Sequence, residues 1–350
     1  MQGRIDRLIL ESECLKGNAL GDPDTREVFV YSPAEPAGSL PTIVILPGYG
    51  STHQSVLNFR PFEPNAIERW DAQIQAGTAT PARIVLPDAY NKYGGSQYLD
   101  SAATGAYQSY LVDEVLPFVE SKYPCRAEPA GRGVIGSSSG GFGALRLAID
   151  RPGIFGAVGS HAGDAHFEVS MRPMLTSAAI AIDRAGGLAP FIERVLQKGP
   201  KTAQDFDGIF VVAASAAYAP TLQRTDTKSR VAGNLAEEHD VPNFELPMDP
   251  ETGALRAEGW ARWLEHDPVV KLDRILQGDA PQGLGNTLKL VYLDAGDHDE
   301  HGLNFAARML EERFTNLGIP VERSEFDGGH RHTSWRYAIS LPRLAEALST

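Results

Sequence analysis

The sequence has only two cysteines in 350 residues, Cys14 and Cys125. They lie far apart and in no metal-ligand spacing, which argues against a disulfide framework and a cysteine-built metal centre and leaves two free structural thiols. Long apolar runs are also missing, since none approaches the roughly 20 residues that a membrane span requires. No block of basic residues occurs either. With 32 Lys and Arg against 45 Asp and Glu, the formal net charge is −13; such a surface repels phosphate backbones, so no nucleic acid is expected as a partner. The acidity is otherwise that of a solvated, soluble surface. Arg4, Asp6 and Arg7 interrupt the first ten residues, which therefore lack the apolar core of a secretory signal. The expectation is a cytoplasmic protein with no membrane partner.

Glycine and proline are plentiful, at 35 and 24, and no polar low-complexity tract appears. That composition predicts a folded chain, organised as one elaborated domain rather than two. Short β-branched runs recur at Thr42 to Leu46, Arg83 to Leu86, Gly133 to Ile135, Ala157 to Gly159, Leu288 to Leu293 and Val321 to Phe326. Several are apolar throughout, as strands of a parallel sheet covered on both faces would be. Helical stripes separate them. Leu111, Val115, Phe118 and Val119 share one face, with Pro117 as a kink or first turn. Leu303, Ala306, Ala307, Leu310, Phe314 and Leu317 form another, closed by Gly318 and Pro320. Alternation of this kind predicts an α/β fold, a doubly wound, mostly parallel sheet with helices on both faces. Ile5 to Cys14 and Arg26 to Tyr31 read as an antiparallel pair at its edge. Between about Asp164 and Gly285 the rhythm fades, so residues 1–163 with 286–350 are expected to form the catalytic domain and 164–285 an inserted cap.

The segment Val134-Ile135-Gly136-Ser137-Ser138-Ser139-Gly140-Gly141 runs from a strand directly into a small-residue helix. It contains Gly-x-Ser-x-Gly with Ser138 at the centre. A nucleophile at the tip of so tight a turn needs strained backbone angles, and flanks without bulk allow strand and helix to pack closely. The turn also sets Ser138 at the positive end of the following helix, where an oxyanion is stabilised. Gly131, Gly133 and Gly136 spell Gly-x-Gly-x-x-Gly as well, but they precede and span the strand instead of following it, which rejects a dinucleotide site.

A serine nucleophile needs an oxyanion hole, a base and an orienting acid. The amide of Ser139, immediately after the nucleophile, supplies one donor. The glycine-lined turn Pro47-Gly48-Tyr49-Gly50-Ser51, after the strand ending at Leu46, offers the Tyr49 amide as the second. The base belongs after the last strand, in Asp327-Gly328-Gly329-His330-Arg331-His332, where either imidazole can serve. Asp294, Asp297, Asp299 and Glu300 all follow the strand at Leu288 to Leu293 and are candidates for the acid.

Taken together, Gly136 to Leu145, Leu290 to Gly302 and Glu325 to Pro342 resemble the putative esterase family, which includes esterase D, enterochelin esterases, feruloyl esterases and mycolyltransferases. Leu86-Pro87-Asp88, Gly94 to Tyr98 and Trp260 to Pro268 extend the likeness over most of the chain. It implies an α/β-hydrolase fold and a serine esterase. The family's serine corresponds to Ser138, the aspartate of its Gly-x-x-Asp turn to Asp299, and its histidine, followed a few positions later by an aromatic residue, to His330 with Trp335. His298 before Asp299 departs from the pattern.

The expected activity is hydrolysis of a small-molecule carboxylic ester through an acyl-enzyme, with no cofactor and no metal; a homodimer is left open. Acyl transfer and thioester hydrolysis would use the same residues. A metallohydrolase is the rival in another class, because His161, Asp164 and His166, then His298, Asp299 and His301, then His330 and His332 stand in clusters, although no His-Glu-x-x-His helix is present. A non-catalytic binding protein on the same scaffold is a further alternative.

Overall fold

The computed structural model describes residues 1–34, 38–221, 243–279 and 283–350. Its centre is an eight-stranded sheet built from β1 (Arg4–Glu11), β2 (Thr25–Ser32), β3 (Thr42–Leu46), β4 (Arg83–Pro87), β5 (Arg132–Ser137), β6 (Ala157–His161), β7 (Leu290–Gly296) and β8 (Val321–Phe326). Across the sheet they run in the order β1-β2-β4-β3-β5-β6-β7-β8. β1 pairs antiparallel with β2 and β2 with β4, while every later pairing is parallel. The expected edge pair and doubly wound sheet are both present. β3, β4 and β6 are buried at every position, as strands covered on both faces are, although β4 opens with Arg83 and β6 ends in Ser160 and His161.

Chain order reverses beside β3: the chain steps out to β4, then crosses back to β5 on the other side. At such a switch point the loops leaving the carboxyl ends of two neighbouring strands diverge and open a crevice. Ser138 follows β5 and Tyr49 follows β3, so both stand at that crevice.

Helices cover both faces. α1 (Ala66–Gln75) opens with Asn65, whose side chain accepts from the N–H groups of Ile67 and Glu68 while Glu68 reaches back to the Asn65 N–H. Its Trp70 packs with Leu341 and Leu344 of the C-terminal helix on one face. α2 (Ser139–Asp150) and α3 (Leu303–Asn316) lie against the other. The amphipathic stretch around Leu111 is helical from Tyr107 to Glu120, with a π-helical turn over Tyr110–Val115. Pro117 sits just beyond that turn, in the first turn of Leu116–Glu120, where its missing N–H is tolerated.

β7 differs from the expected Leu288 to Leu293: it begins at Leu290 and continues through Asp294, Ala295 and Gly296. The pattern broke at Asp294, a charged residue, yet that side chain is 1 % exposed because partners surround it. Among the described residues, the stretch between β6 and β7 is largely helical, and its helices, chiefly Met174–Arg184 and Ala203–Tyr218, build an apolar cluster of their own with Phe142 and Leu99. Residues 222–242 and 280–282 of the expected insertion lie outside the described residues. No described helix is long and apolar enough to cross a membrane.

Candidate active site

Ser138 has φ 52° and ψ −124°, a backbone conformation rare for a residue with a side chain. The surrounding packing holds it there. A Cβ on Gly136 would lie 2.3 Å from the carbonyl of Gly140, and one on Gly140 would lie 1.9 Å from the Leu46 carbonyl oxygen. Strand, turn and helix therefore pack this closely only with glycine at both positions. The Ser138 N–H donates to the His161 carbonyl (2.9 Å), and its own carbonyl accepts from Phe142 in the first turn of α2 (2.9 Å).

His330 and Asp299 come to this serine from two other loops. His330 Nε2 lies 3.0 Å from Ser138 Oγ, and His330 Nδ1 lies 2.8 Å from Asp299 Oδ2. Asp299 is buried, and its other oxygen accepts from the His301 N–H at 2.9 Å. That bond fixes the carboxylate, which holds the imidazole with Nδ1 protonated and Nε2 free to accept from the hydroxyl. Gly296 makes the crossing of the two loops possible, since a Cβ there would meet the Gly328 carbonyl oxygen at 2.0 Å. Glu300 accepts from the His330 N–H at 2.8 Å and so steadies the histidine loop through its backbone.

Burial pushes the His330 imidazole down, but the Asp299 hydrogen bond and the negative charges of Asp299, Asp164 and Glu300 outweigh it and leave the group above its ordinary range. Burial likewise pushes Asp299 up, and its bond to His330 with the two backbone donors reverses the balance and keeps it ionised at lower pH.

The two backbone amides expected as oxyanion donors flank the serine. Among the described residues nothing accepts from the N–H of Tyr49 or of Ser139, although neighbouring loop amides are paired. A Cβ on Gly48 would stand 3.3 Å from the Ser138 Cβ, so the β3 loop is pressed against the turn. Tyr49 is anchored away from that point, its hydroxyl donating to the Tyr93 carbonyl and its ring edge-on to Phe206 and Phe210.

The remaining histidines disperse. His332 is exposed, with φ 62°, and is not joined to Ser138. His161, Asp164 and His166 do not converge. His161 bonds Asp294 and Ser340, Asp164 accepts from the Ser139 hydroxyl at 2.8 Å, and His166 adopts the left-handed conformation ahead of the short helix Phe167–Ser170. His298 is exposed and pairs with Asp297, while His301 packs edge-on to the His330 ring. Among the described residues a metal-type grouping occurs at Asp297, His298 and Asp327, all exposed and none of them in the Ser138 relay.

Two buried arrangements escaped the sequence reading. Asp294, one of the acid candidates, instead bridges His161 and Arg336, with Tyr292 also donating to it. Ser340, His161 and Asp294 thus repeat a serine–histidine–aspartate line, but Ser340 is 0 % exposed and no substrate can reach it. The second is the Ser139–Asp164 bond beside the nucleophile. Neither carries a local sequence signal, because each joins side chains that lie far apart in the chain.

The family model described as Putative esterase matches residues 19–342. An esterase of Mycobacterium tuberculosis is 35 % identical over 86 residues, or 24 % of this chain and 19 % of that protein. An uncharacterised protein of Bacillus subtilis is 30 % identical over 83 residues, 24 % of this chain and 30 % of its own. The chain therefore spans under a third of the length of each of these relatives. Among solved structures, a ferulic acid esterase superposes with a TM-score of 0.59 at 17 % identity, covering 99 % of both chains. An S-formylglutathione hydrolase from Agrobacterium tumefaciens does so with 0.56 at 16 %, covering 99 % of this chain and 96 % of its own. At such identities the likeness establishes the α/β-hydrolase fold.

Proposed function

This chain belongs to the putative esterase family, and from that premise we propose that it hydrolyses a small-molecule carboxylic ester through an acyl-enzyme on Ser138. The observation that carries the reading is the unbroken line from Asp299 through His330 to Ser138, with hydrogen bonds of 2.8 and 3.0 Å. Ser138 Oγ attacks the ester carbonyl while His330 Nε2 takes its proton. Asp299 keeps the imidazole in the required tautomer and stabilises the imidazolium that forms. The tetrahedral oxyanion lies on the amides of Tyr49 and Ser139, whose lack of other acceptors supports the assignment. His330 returns its proton to the departing alcohol, then activates the water that frees the acid.

The helical stretch after β6 acts in this reading as the cap that shapes the substrate side. Its support is contact: Phe206 and Phe210 of Ala203–Tyr218 pack against Tyr49. The test is a panel of aryl and alkyl esters of graded acyl length, assayed with and without an added alcohol. Release of free acid supports hydrolysis, and acyl transfer to the alcohol as the main product would redirect the reading to an acyltransferase.

A further inference from the structure

Asp164 follows β6 by a tight turn and is 7 % exposed. Among the described residues its side chain has one donor, the Ser139 hydroxyl at 2.8 Å, and no arginine or lysine pairs with it. Other buried carboxylates of this protein are compensated more fully. Asp294 has Arg336 and His161, and Asp267 accepts from three backbone N–H groups, those of His166, Phe167 and Val269. A buried carboxylate served by one neutral hydroxyl is costly to the fold, and burial accordingly pushes Asp164 above the usual carboxylate range. Such groups gather at catalytic centres, where their charge is used.

The chain fixes the carboxylate in this place. A Cβ on Gly163 would lie 2.1 Å from Ser160 Oγ and 2.8 Å from the Gly141 carbonyl carbon, and one on Gly141 would lie 2.8 Å from the Gly163 Cα. The turn is therefore pressed into the start of α2. The Asp164 N–H donates to the Ser138 carbonyl at 3.3 Å, and the Ala162 N–H to the Asp294 carbonyl at 2.6 Å. Asp164 is thus bonded to the nucleophile residue through its backbone and to the next residue through its side chain. The ionisable groups that act on it are His330, His301 and Asp299 from the two relay loops, together with the buried Tyr218 hydroxyl of Ala203–Tyr218. His330 in turn faces Asp299, Glu300, the ring of His301 and Asp164. Glu300 is exposed, so water and salt screen it, whereas the charge of Asp164 acts through the low-dielectric interior.

We propose that Asp164 is a second carboxylate of the relay, a positioning residue whose negative charge stabilises the His330 imidazolium from the nucleophile turn as Asp299 does from the acid loop. This rests on the esterase reading above. Positive charge appears on the ring when Ser138 Oγ gives up its proton and disappears when that proton passes to the leaving alcohol. A fixed negative charge nearby therefore favours the transition state over bound substrate, and its removal lowers kcat more than it alters KM. Its removal also lets the ring lose its proton at lower pH.

The experiment compares wild type with Asp164→Asn, which keeps the shape and the acceptor for Ser139 and removes the charge. For both, kcat and KM for p-nitrophenyl acetate are measured between about pH 5 and pH 9. The His330 imidazole, identified by the signal lost in His330→Ala, is titrated by NMR over the same range. The expected result is a midpoint lowered by about half a unit to one unit in both titrations, with kcat on the alkaline plateau lowered about threefold to thirtyfold and KM within about threefold. A slower variant whose midpoint does not move would make Asp164 a structural partner of Ser139 and overturn the proposal. A variant matching wild type in both rate and midpoint would show that Asp164 carries no charge at the working pH, which overturns it as well. Thermal unfolding measured alongside identifies a variant that fails to fold, and Asp164→Ser, also neutral and smaller, then decides by the same midpoint. Wild-type protein inert to the ester and to a fluorophosphonate would instead overturn the esterase reading, and the NMR midpoint would still decide whether the Asp164 charge acts on His330.

Discussion

Asp299 Oδ2 and His330 Nδ1 stand 2.8 Å apart, although 31 positions separate the two residues in the chain. Asp297, two residues before Asp299, is exposed and bonds His298, and Glu300 bonds only the backbone of the histidine loop among the described residues. Asp299→Asn is therefore expected to lower kcat by at least about a thousandfold, whereas Asp297→Asn and Glu300→Gln stay within about tenfold. Steady-state kinetics on one aryl ester measures all three. A crippled Asp297→Asn beside a near-silent Asp299→Asn would move the acid to Asp297.

The same loop distinguishes two histidines. His330→Ala should approach the loss caused by removing the nucleophile, and His332→Ala should keep most of the activity because its exposed side chain is not joined to Ser138. The reverse ranking would place the base two residues along.

The pH profile follows from the direction of the His330 shift. Only neutral imidazole accepts the serine proton, so activity rises with pH, and the midpoint of the rise should lie above the ordinary value of 6.5. Asp299→Asn should bring that midpoint down. The pair also contributes to stability. Because the folded value of His330 is raised, its share is present in full below 6.5 and is lost as pH rises through that raised value. The Asp299 value is lowered, so its share is present above 3.8 and is lost as pH falls through the lowered value. A midpoint below 6.5 in the wild type would contradict the charge environment described for His330.

Ser139 should separate chemistry from stability. Its proposed catalytic contribution is an N–H, so Ser139→Ala is expected to keep kcat within about tenfold. Its hydroxyl, however, donates to the buried Asp164 carboxylate, which burial already pushes above the usual carboxylate range. Leaving that group without its donor costs about 1–3 kcal/mol, which should appear as a lower Tm. An unchanged Tm would mean that Asp164 finds another partner.

Much of the architecture was legible because it follows from local pattern. The buried strand Thr42–Leu46 and the half-buried strand Val321–Phe326 were read with the bounds they have, since each ends at turn residues, Pro47-Gly48 and Asp327-Gly328. The elbow was equally visible, because its Gly-x-Ser-x-Gly run is contiguous in the chain, although Gly140 is demanded by the distant Leu46 carbonyl as well as by the turn itself. Legibility failed where a polar group was buried by distant partners. Asp294 looked like the end of a strand and a candidate acid, yet it lies inside β7, held by His161 from β6 and Arg336 from beyond β8. Removing Asp294 alone would strand Arg336 in the core, a loss of about 3–5 kcal/mol, and nothing adjacent to position 294 announces that partner.

The most direct test of the account is to treat the protein with a fluorophosphonate, digest it and map the modified peptide, with ester hydrolysis followed in parallel. Label should appear on Ser138 alone, activity should vanish as labelling reaches one adduct per chain, and Ser138→Ala should take no label and lose on the order of a millionfold in kcat while remaining folded. Ester hydrolysis that survives within tenfold in Ser138→Ala, or label carried by another residue as activity is lost, would contradict it.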